Sequence, residues 1–363
     1  MKRAFGVLAA LVLLGGVAFA LLRPTSHDDK KTTKTVTITG LIGSEKQDFF
    51  QDEDVKAELA AQGLIVKTLP VGSWQMVDKL DGQAFAFPAS QAPADKIRQN
   101  KGITEVVSAP FYSPLVVVAH QATAQALKDS GMAAEDPTTH VWTLRMDAYR
   151  DALRTNKTWE QLLGGKPKAE LRGNVLMATT DPKDSSSGAM YLALLSSLEN
   201  GGPVSSDAEV EKVKDLLYTA ISKQGEKKQS TDLLFKDFTS GVGRPLSLVY
   251  ESEAAELVRQ QNTLGDMVVL YPDTTIFSAH TLVGLNEDGR KLATLLQNNT
   301  KLREAATKHG FRIQGDTKAF GTQFRTQDDS FHLAPNLDQA GINHASIPVY
   351  DVLKKLTDYA TKP

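Results

Sequence analysis

The sequence predicts an α/β protein of two lobes, and three observations lead there. Residues 35–88 read strand, helix, strand, helix, strand, the alternation that gives a mostly parallel sheet with helices on both faces. Residues 112–119 form a continuous apolar run, Tyr-Ser-Pro-Leu-Val-Val-Val-Ala, as expected of a strand covered on both sides. In mid-chain, an apolar stretch from Arg172 ends in Thr179, Thr180, Asp181 and Pro182. Ser185, Ser186, Ser187 and Gly188 follow, and then an apolar helical pattern begins. Unpaired N–H groups at a helix start, surrounded by hydroxyls, make a site for a small polar or anionic group.

The 363 residues suffice for two lobes, and 41% hydrophobic content with a net charge of −2 is an ordinary globular balance. No basic excess points to nucleic acid. With no cysteine, disulfides, thiolate metal sites and a lipid-modified N-terminal cysteine are excluded. At the N-terminus, Lys2 and Arg3 precede an uncharged run over residues 4–22, which marks residues 1–22 as an export signal. Ala18-Phe-Ala20 offers a small-x-small cleavage site, but 19 apolar residues also approach a membrane span. Both a cleaved signal peptide and a retained apolar helix fit. Residues 23–34 are a polar tether. Either way the rest of the chain lies outside the cytoplasmic membrane, in the periplasm or at the cell surface.

In chain order, residues 35–42 alternate as a strand, and Gly43 and Ser44 turn into a helix running to Ala61. Gln62-Gly63 stops it. Residues 64–70 are the next strand, residues 71–76 open a second helix, and residues 84–88 are a short third strand. After the strand at 112–119, residues 120–170 read as helical and polar, broken at Gly164-Gly165-Lys166-Pro167. Residues 208–223 form an amphipathic helix, and 245–250 a strand leading into a helix at Glu251. Residues 267–273 and 279–284 are strands; 287–297, 300–308 and 349–359 are helices.

Several of these segments together resemble a known family. Thr158-Trp-Glu-Gln-Leu-Leu163, then Leu171-Arg-Gly173, then Asp181-Pro182 with Ser185, Ser187 and Gly188, is similar to the second lobe of bacterial type II periplasmic solute-binding proteins. Tyr271-Pro-Asp-Thr-Thr-Ile-Phe-Ser-Ala-His280 resembles the return crossover of molybdate-type members, and Ala305-Ala306 with His309-Gly-Phe311 their closing helix. The resemblance spans residues 35–314; residues 315–348 match nothing in it. It implies two Rossmann-like lobes joined by crossover hinge strands. Lobe one would be residues 35–118 with 276–363, and lobe two residues 119–275. It also implies a solute captured between them for an ABC-type permease, with a membrane-anchored sensor or scaffold of the same fold as the alternative.

Strand–helix turns should gather at the carboxyl ends of the strands, where α/β proteins bind ligands. The candidate ligand-binding residues are Ser44, Glu45, Ser73, Trp74, Asp181, Ser185, Ser187, Tyr250 and Glu253. Several have a plainer reading. Ser44 with Gln47 fits a capping box, Ser185 a helix cap, Trp74 and Tyr250 core positions, and Asp181 a turn. Glu45, Asp181, Glu251 and Glu253 near the cleft disfavour an oxyanion, because like charge costs binding energy. Two of them facing inward would favour a cation, an amine or a polyol. No nucleophile is paired with a base, and no P-loop, Gly-x-Ser-x-Gly or His-Glu-x-x-His occurs. The sequence therefore reads as a binding protein that needs no metal or cofactor, and not as an enzyme.

Overall fold

The computed structural model describes residues 35–105, 108–166, 170–261, 264–325 and 333–362. The expected signal or anchor and its tether lie outside these. Among the described residues, no helix is long and apolar enough to cross a membrane.

The strands are β1 (Val36–Ile42), β2 (Leu64–Pro70), β3 (Phe85–Phe87), β4 (Ser108–His120), β5 (Ala133–Glu135), β6 (Trp142–Leu144), β7 (Leu246–Tyr250), β8 (Met267–Pro272), β9 (Thr274–Thr275), β10 (Phe277–Gly284), β11 (Arg312–Ile313) and β12 (Asn343–His344). β1 pairs in parallel with β2 and β3, and β10 runs antiparallel to β3. The long strand β4 serves two groups of strands. Its residues 108–114 pair with β10 and β11, and its residues 115–120 pair with β7 and β8. β8 continues to β6 in parallel, and β6 to β5 antiparallel.

The unbroken apolar run of β4 has a direct physical reason. Leu115, Val117 and Ala119 enter one core with Leu246, Leu248, Val268 and Leu270. Val116 and Val118 point the other way, to Val249, Val269 and Phe238. Alternate side chains thus bury on opposite faces of one sheet. The β1–β3 end repeats the arrangement. Phe85 and Phe87 pack with Phe49, Phe50, Phe111 and Phe311, and Ala86 faces Leu41, Met76 and Ile97. Each buried Val, Leu, Ile, Met or Phe among these contributes about 1.5–3 kcal/mol.

Several expected elements take another form. The single helix at 43–61 is three pieces, Ser44–Lys46, Gln47–Gln51 and Glu53–Ala61, because Asp52 has extended backbone and caps a new start at Asp54 and Val55. The helix opening at 71–76 is only the turn Gln75–Asp78; the longer helix is Gln91–Lys101. Within 120–170 the antiparallel pair β5–β6 interrupts the helices. The apolar stretch before Asp181 is no regular strand. It meets the rest through single bridges, Ala178 to Ser247 and Thr180 to Lys228.

The described parts of residues 315–348, namely 315–325 and 333–348, lie against the crossover. Asn343 and His344 pair with Thr274 and Thr275, and Phe320, Phe324, Leu333 and Leu337 join the Val116–Val118 face. The C-terminal helix Tyr350–Thr361, grouped in sequence with lobe one, sends Leu353, Leu356 and Ala360 into the core of the helices Ser186–Asn200 and Asp207–Ser222.

Candidate functional site

Five chain segments bring their ends to one place. β1 ends at Gly43, Ser44 and Glu45, and β2 at Pro70 to Ser73. Opposite them, Ser185 and Ser186 start the helix Ser186–Asn200, Ser230 and Thr231 start the helix Thr231–Thr239, and Tyr250 ends β7. Together they line a cavity of about 180 Å³. Ser185 and Ser230 occupy N-cap positions with extended backbone, but neither side chain caps its helix. The first-turn amides of both helices thus lack a side-chain cap, which suits an anionic or hydroxyl-bearing group. Ser185 Oγ instead lies 2.9 Å from Ser187 Oγ, itself 2.7 Å from Thr180 Oγ1. Gly188 is required behind them, since a Cβ there would sit 2.5 Å from the Thr180 carbonyl.

Direct bonds cross between the β1–β3 side and the opposite side beside this cavity. Ser44 Oγ donates to Asp232 Oδ1 at 2.7 Å, Gln75 Nε2 to Asp184 Oδ1 at 2.9 Å, and the hydroxyls of Ser90 and Ser186 are 2.9 Å apart. At Gly72 the backbones nearly touch, and a Cβ would meet the Asp184 carbonyl oxygen at 2.3 Å. Ser44 therefore does not form the expected capping box; its helix turn carries no side-chain cap, and its hydroxyl is spent across the gap.

Beneath the cavity, Lys46 is fully buried, paired with Glu45, 3.0 Å from His280 Nδ1 and 5.0 Å above the Phe87 ring. Burial opposes the Glu45 charge, but Lys46 and His280 overcome it and hold the carboxyl down at about 2. Burial, with Lys46 adding to it, pushes His280 down to about 4, so its ring is neutral at pH 7. Glu253 behaves oppositely: burial, aided by the charges of Asp232 and Glu45, raises it to about 8 despite bonds from Thr231 and the Tyr250 amide. Glu251 is not at the cavity. Arg312 grips it with two bonds of 2.6 and 2.7 Å, and Tyr271 donates to it.

Of the residues singled out in sequence, Ser44, Glu45, Ser73, Ser185 and Tyr250 line the cavity, and Ser187 stands directly behind Ser185. Glu253 lies on a neighbouring cavity that shares Ser44 and Glu45. Asp181 is a turn residue: its carboxylate accepts the Lys183 amide and its carbonyl the Ser185 amide. Trp74 faces away and packs on Tyr350, ring centroids 4.6 Å apart, because the C-terminal helix reaches back to cover it. Lys46, Asp184, Thr231 and Asp232 were not among the candidate ligand-binding residues. Ser230-Thr-Asp before Leu233-Leu-Phe is a helix-start signal that marks the last two. Nothing marks Lys46, since lysine is normally exposed.

The sequence matches no family model and no curated protein. Solved structures do match. The periplasmic binding protein AfuA from Actinobacillus pleuropneumoniae, solved with fructose-6-phosphate, superposes with TM-score 0.57 at 12% identity, over 89% of this chain and 96% of that one. An ABC transporter solute-binding protein from Thermotoga lettingae, bound with α-D-tagatose, gives 0.54 at 13%, over 90% and 94%. The sulfate-binding protein SubI from Mycobacterium tuberculosis gives 0.53 at 12%, over 88% and 96%. The fold is that of the type II periplasmic solute-binding proteins.

Proposed function

We propose that this protein is an extracytoplasmic receptor that holds a small polar solute between two lobes and delivers it to an ABC-type permease. The lobes are residues 35–118 with 276–363, and residues 119–275, with the C-terminal helix reaching across to the second. Residues 1–22 would export the chain or tether it to the membrane. One observation carries this reading: Ser44 and Ser73 from one side and Ser185, Thr231 and Tyr250 from the other converge on one cavity. Of the acids that spoke against an oxygen-rich solute, Glu45 is paired with Lys46, Glu251 is held by Arg312 away from the cavity, and Asp181 accepts the Lys183 amide in its turn, which weakens that objection. Sulfate, a sugar phosphate and a ketose, the solutes of the structural neighbours, are of that kind.

The test is thermal unfolding against oxyanions, sugars, sugar phosphates, amines and amino acids. A solute at about 100 times its Kd adds roughly 2.7 kcal/mol to stability. The reading expects one chemical class to raise Tm. It also expects the combined Ser44→Ala, Ser73→Ala and Ser185→Ala variant to lose that rise while still unfolding cooperatively. No rise with any class contradicts it.

A further inference from the structure

The C-terminal helix Tyr350–Thr361 is anchored on one side of the gap and touches the other. Leu353, Leu356 and Ala360 are buried in one core with Val210, Val213 and Leu217, and Lys355 pairs with Asp207 at 2.5 Å. The first turn meets the opposite side. Tyr350 packs on Trp74, ring centroids 4.6 Å apart, and against the apolar cluster of Leu41, Met76 and Ile97. Trp74 in return packs against the core that holds Leu353 and Leu356. Lys96 stands 5.4 Å above the Tyr350 ring and 3.4 Å from Asp351.

These contacts lie at the rim of the gap. Trp74 and Gln75, Pro182 and Lys183, and Tyr350 and Lys354 line one cavity of about 290 Å³. Trp74 is two residues from Gly72, whose Cα has no room for a Cβ beside the Asp184 carbonyl, and its neighbour Gln75 donates to Asp184. A motion that parts Gly72 from Asp184 therefore carries Trp74 away as well. Tyr350 is held back, because three residues later Leu353 is fixed in the opposite core. Behind it, Asn343 and His344 are paired with Thr274 and Thr275 at the crossover.

We infer that the C-terminal helix is a built-in strap, whose Tyr350–Trp74 contact favours the closed arrangement before any solute binds. The inference rests on the two-lobe reading above and goes beyond it, since it assigns part of the affinity to residues remote from the solute. The fraction of solute-free protein that is already closed scales the apparent Kd, and the strap raises that fraction. An aromatic pair shifts such an equilibrium by about 2- to 10-fold, beyond the effect of the area it buries. The ion pair adds little, because the Asp351 side chain is 76% exposed. The rings carry the strap.

The experiment is pulsed dipolar spectroscopy on the solute-free protein. Glu53→Cys and Ser240→Cys, exposed positions on opposite sides of the gap, carry the spin labels. Tyr350→Ala should move the distribution toward longer distances and raise the ratio of open to closed at least about threefold. Tyr350→Phe keeps the ring and should leave the parent distribution. Trp74→Leu removes the other ring and should open the protein as Tyr350→Ala does, with the double variant no more open than either alone. Leu353, Leu356 and Ala360 still anchor the helix, so the urea slope of each variant should match the parent. A distribution that neither Tyr350→Ala nor Trp74→Leu changes, or a shift in Tyr350→Phe equal to that in Tyr350→Ala, overturns the strap. The solute screen tests the receptor reading separately and has no part in this measurement, so either can fail alone.

Discussion

At Gly72 the backbones of the two sides approach without room for a side chain, and replacing it with alanine probes closure apart from folding. A Cβ at this position would lie 2.3 Å from the Asp184 carbonyl oxygen. Ordinary contact needs about 1 Å more, and backbone cannot rotate away as a flexible side chain would. The φ of Gly72 lies outside the left-handed region, so alanine is tolerated locally and each side keeps its own core. On the proposed receptor reading, the clash falls on closure, along with the neighbouring Gln75–Asp184 bond of 2.9 Å. Overpacking of this kind costs about 1–3 kcal/mol. Charged to closure alone, that lowers solute affinity about 5- to 150-fold. The assay is calorimetric titration of Gly72→Ala with the solute found by thermal shift, beside its unliganded melting curve. An affinity within about twofold of the parent would refute the argument that these two backbones meet on closure.

Three further outcomes follow from buried polar groups. Glu251→Ala strands the buried Arg312, which holds Glu251 and the Ala334 and Pro335 carbonyls; a loss of about 3–5 kcal/mol in urea unfolding is expected, with faster proteolysis near residues 333–348. Tyr191→Phe removes the partner 2.8 Å from the Tyr149 hydroxyl, which also accepts the Met177 amide at 3.0 Å. The urea midpoint should fall by an amount equivalent to about 1–2 kcal/mol, with the slope unchanged. Burial pulls His309 down, but bonds to Glu256 and Asp52 prevail and raise it above 6.5. Its stabilisation is therefore complete below pH 6.5 and fades as pH rises through the higher folded value. His309→Gln should cost more stability at pH 5.5 than at pH 9, and an equal cost at both would refute this.

Much of the fold was legible because its signals are local. The Val116–Val118 run reads as a doubly buried strand, Gly63 and Gly310 as helix ends, and Ser185 with Gly188 as a helix start. The site was legible in part for the same reason: Ser44, Ser73, Ser185 and Tyr250 each end or begin an element. What escaped depends on distant partners. Trp74 was judged without the C-terminal helix, whose Tyr350 packs on it. Lys46 is buried only because Glu45 and His280, residues far apart in sequence, meet it under the cavity. Asp52 breaks the first helix through its own cap, a local competitor that an amphipathic pattern conceals.

If a solute sits between two lobes that close on it, a distance across the gap changes when the solute binds. The chain has no cysteine of its own, so Asp78→Cys and Lys183→Cys, both exposed positions flanking the gap beside Gln75, give two unique spin-label sites. Pulsed dipolar spectroscopy would then be recorded with and without the stabilising solute. Closure around the solute gives a broader, longer distribution without it that collapses to one short distance at saturation, less completely in Gly72→Ala. An identical distribution in both states would contradict closure around a ligand.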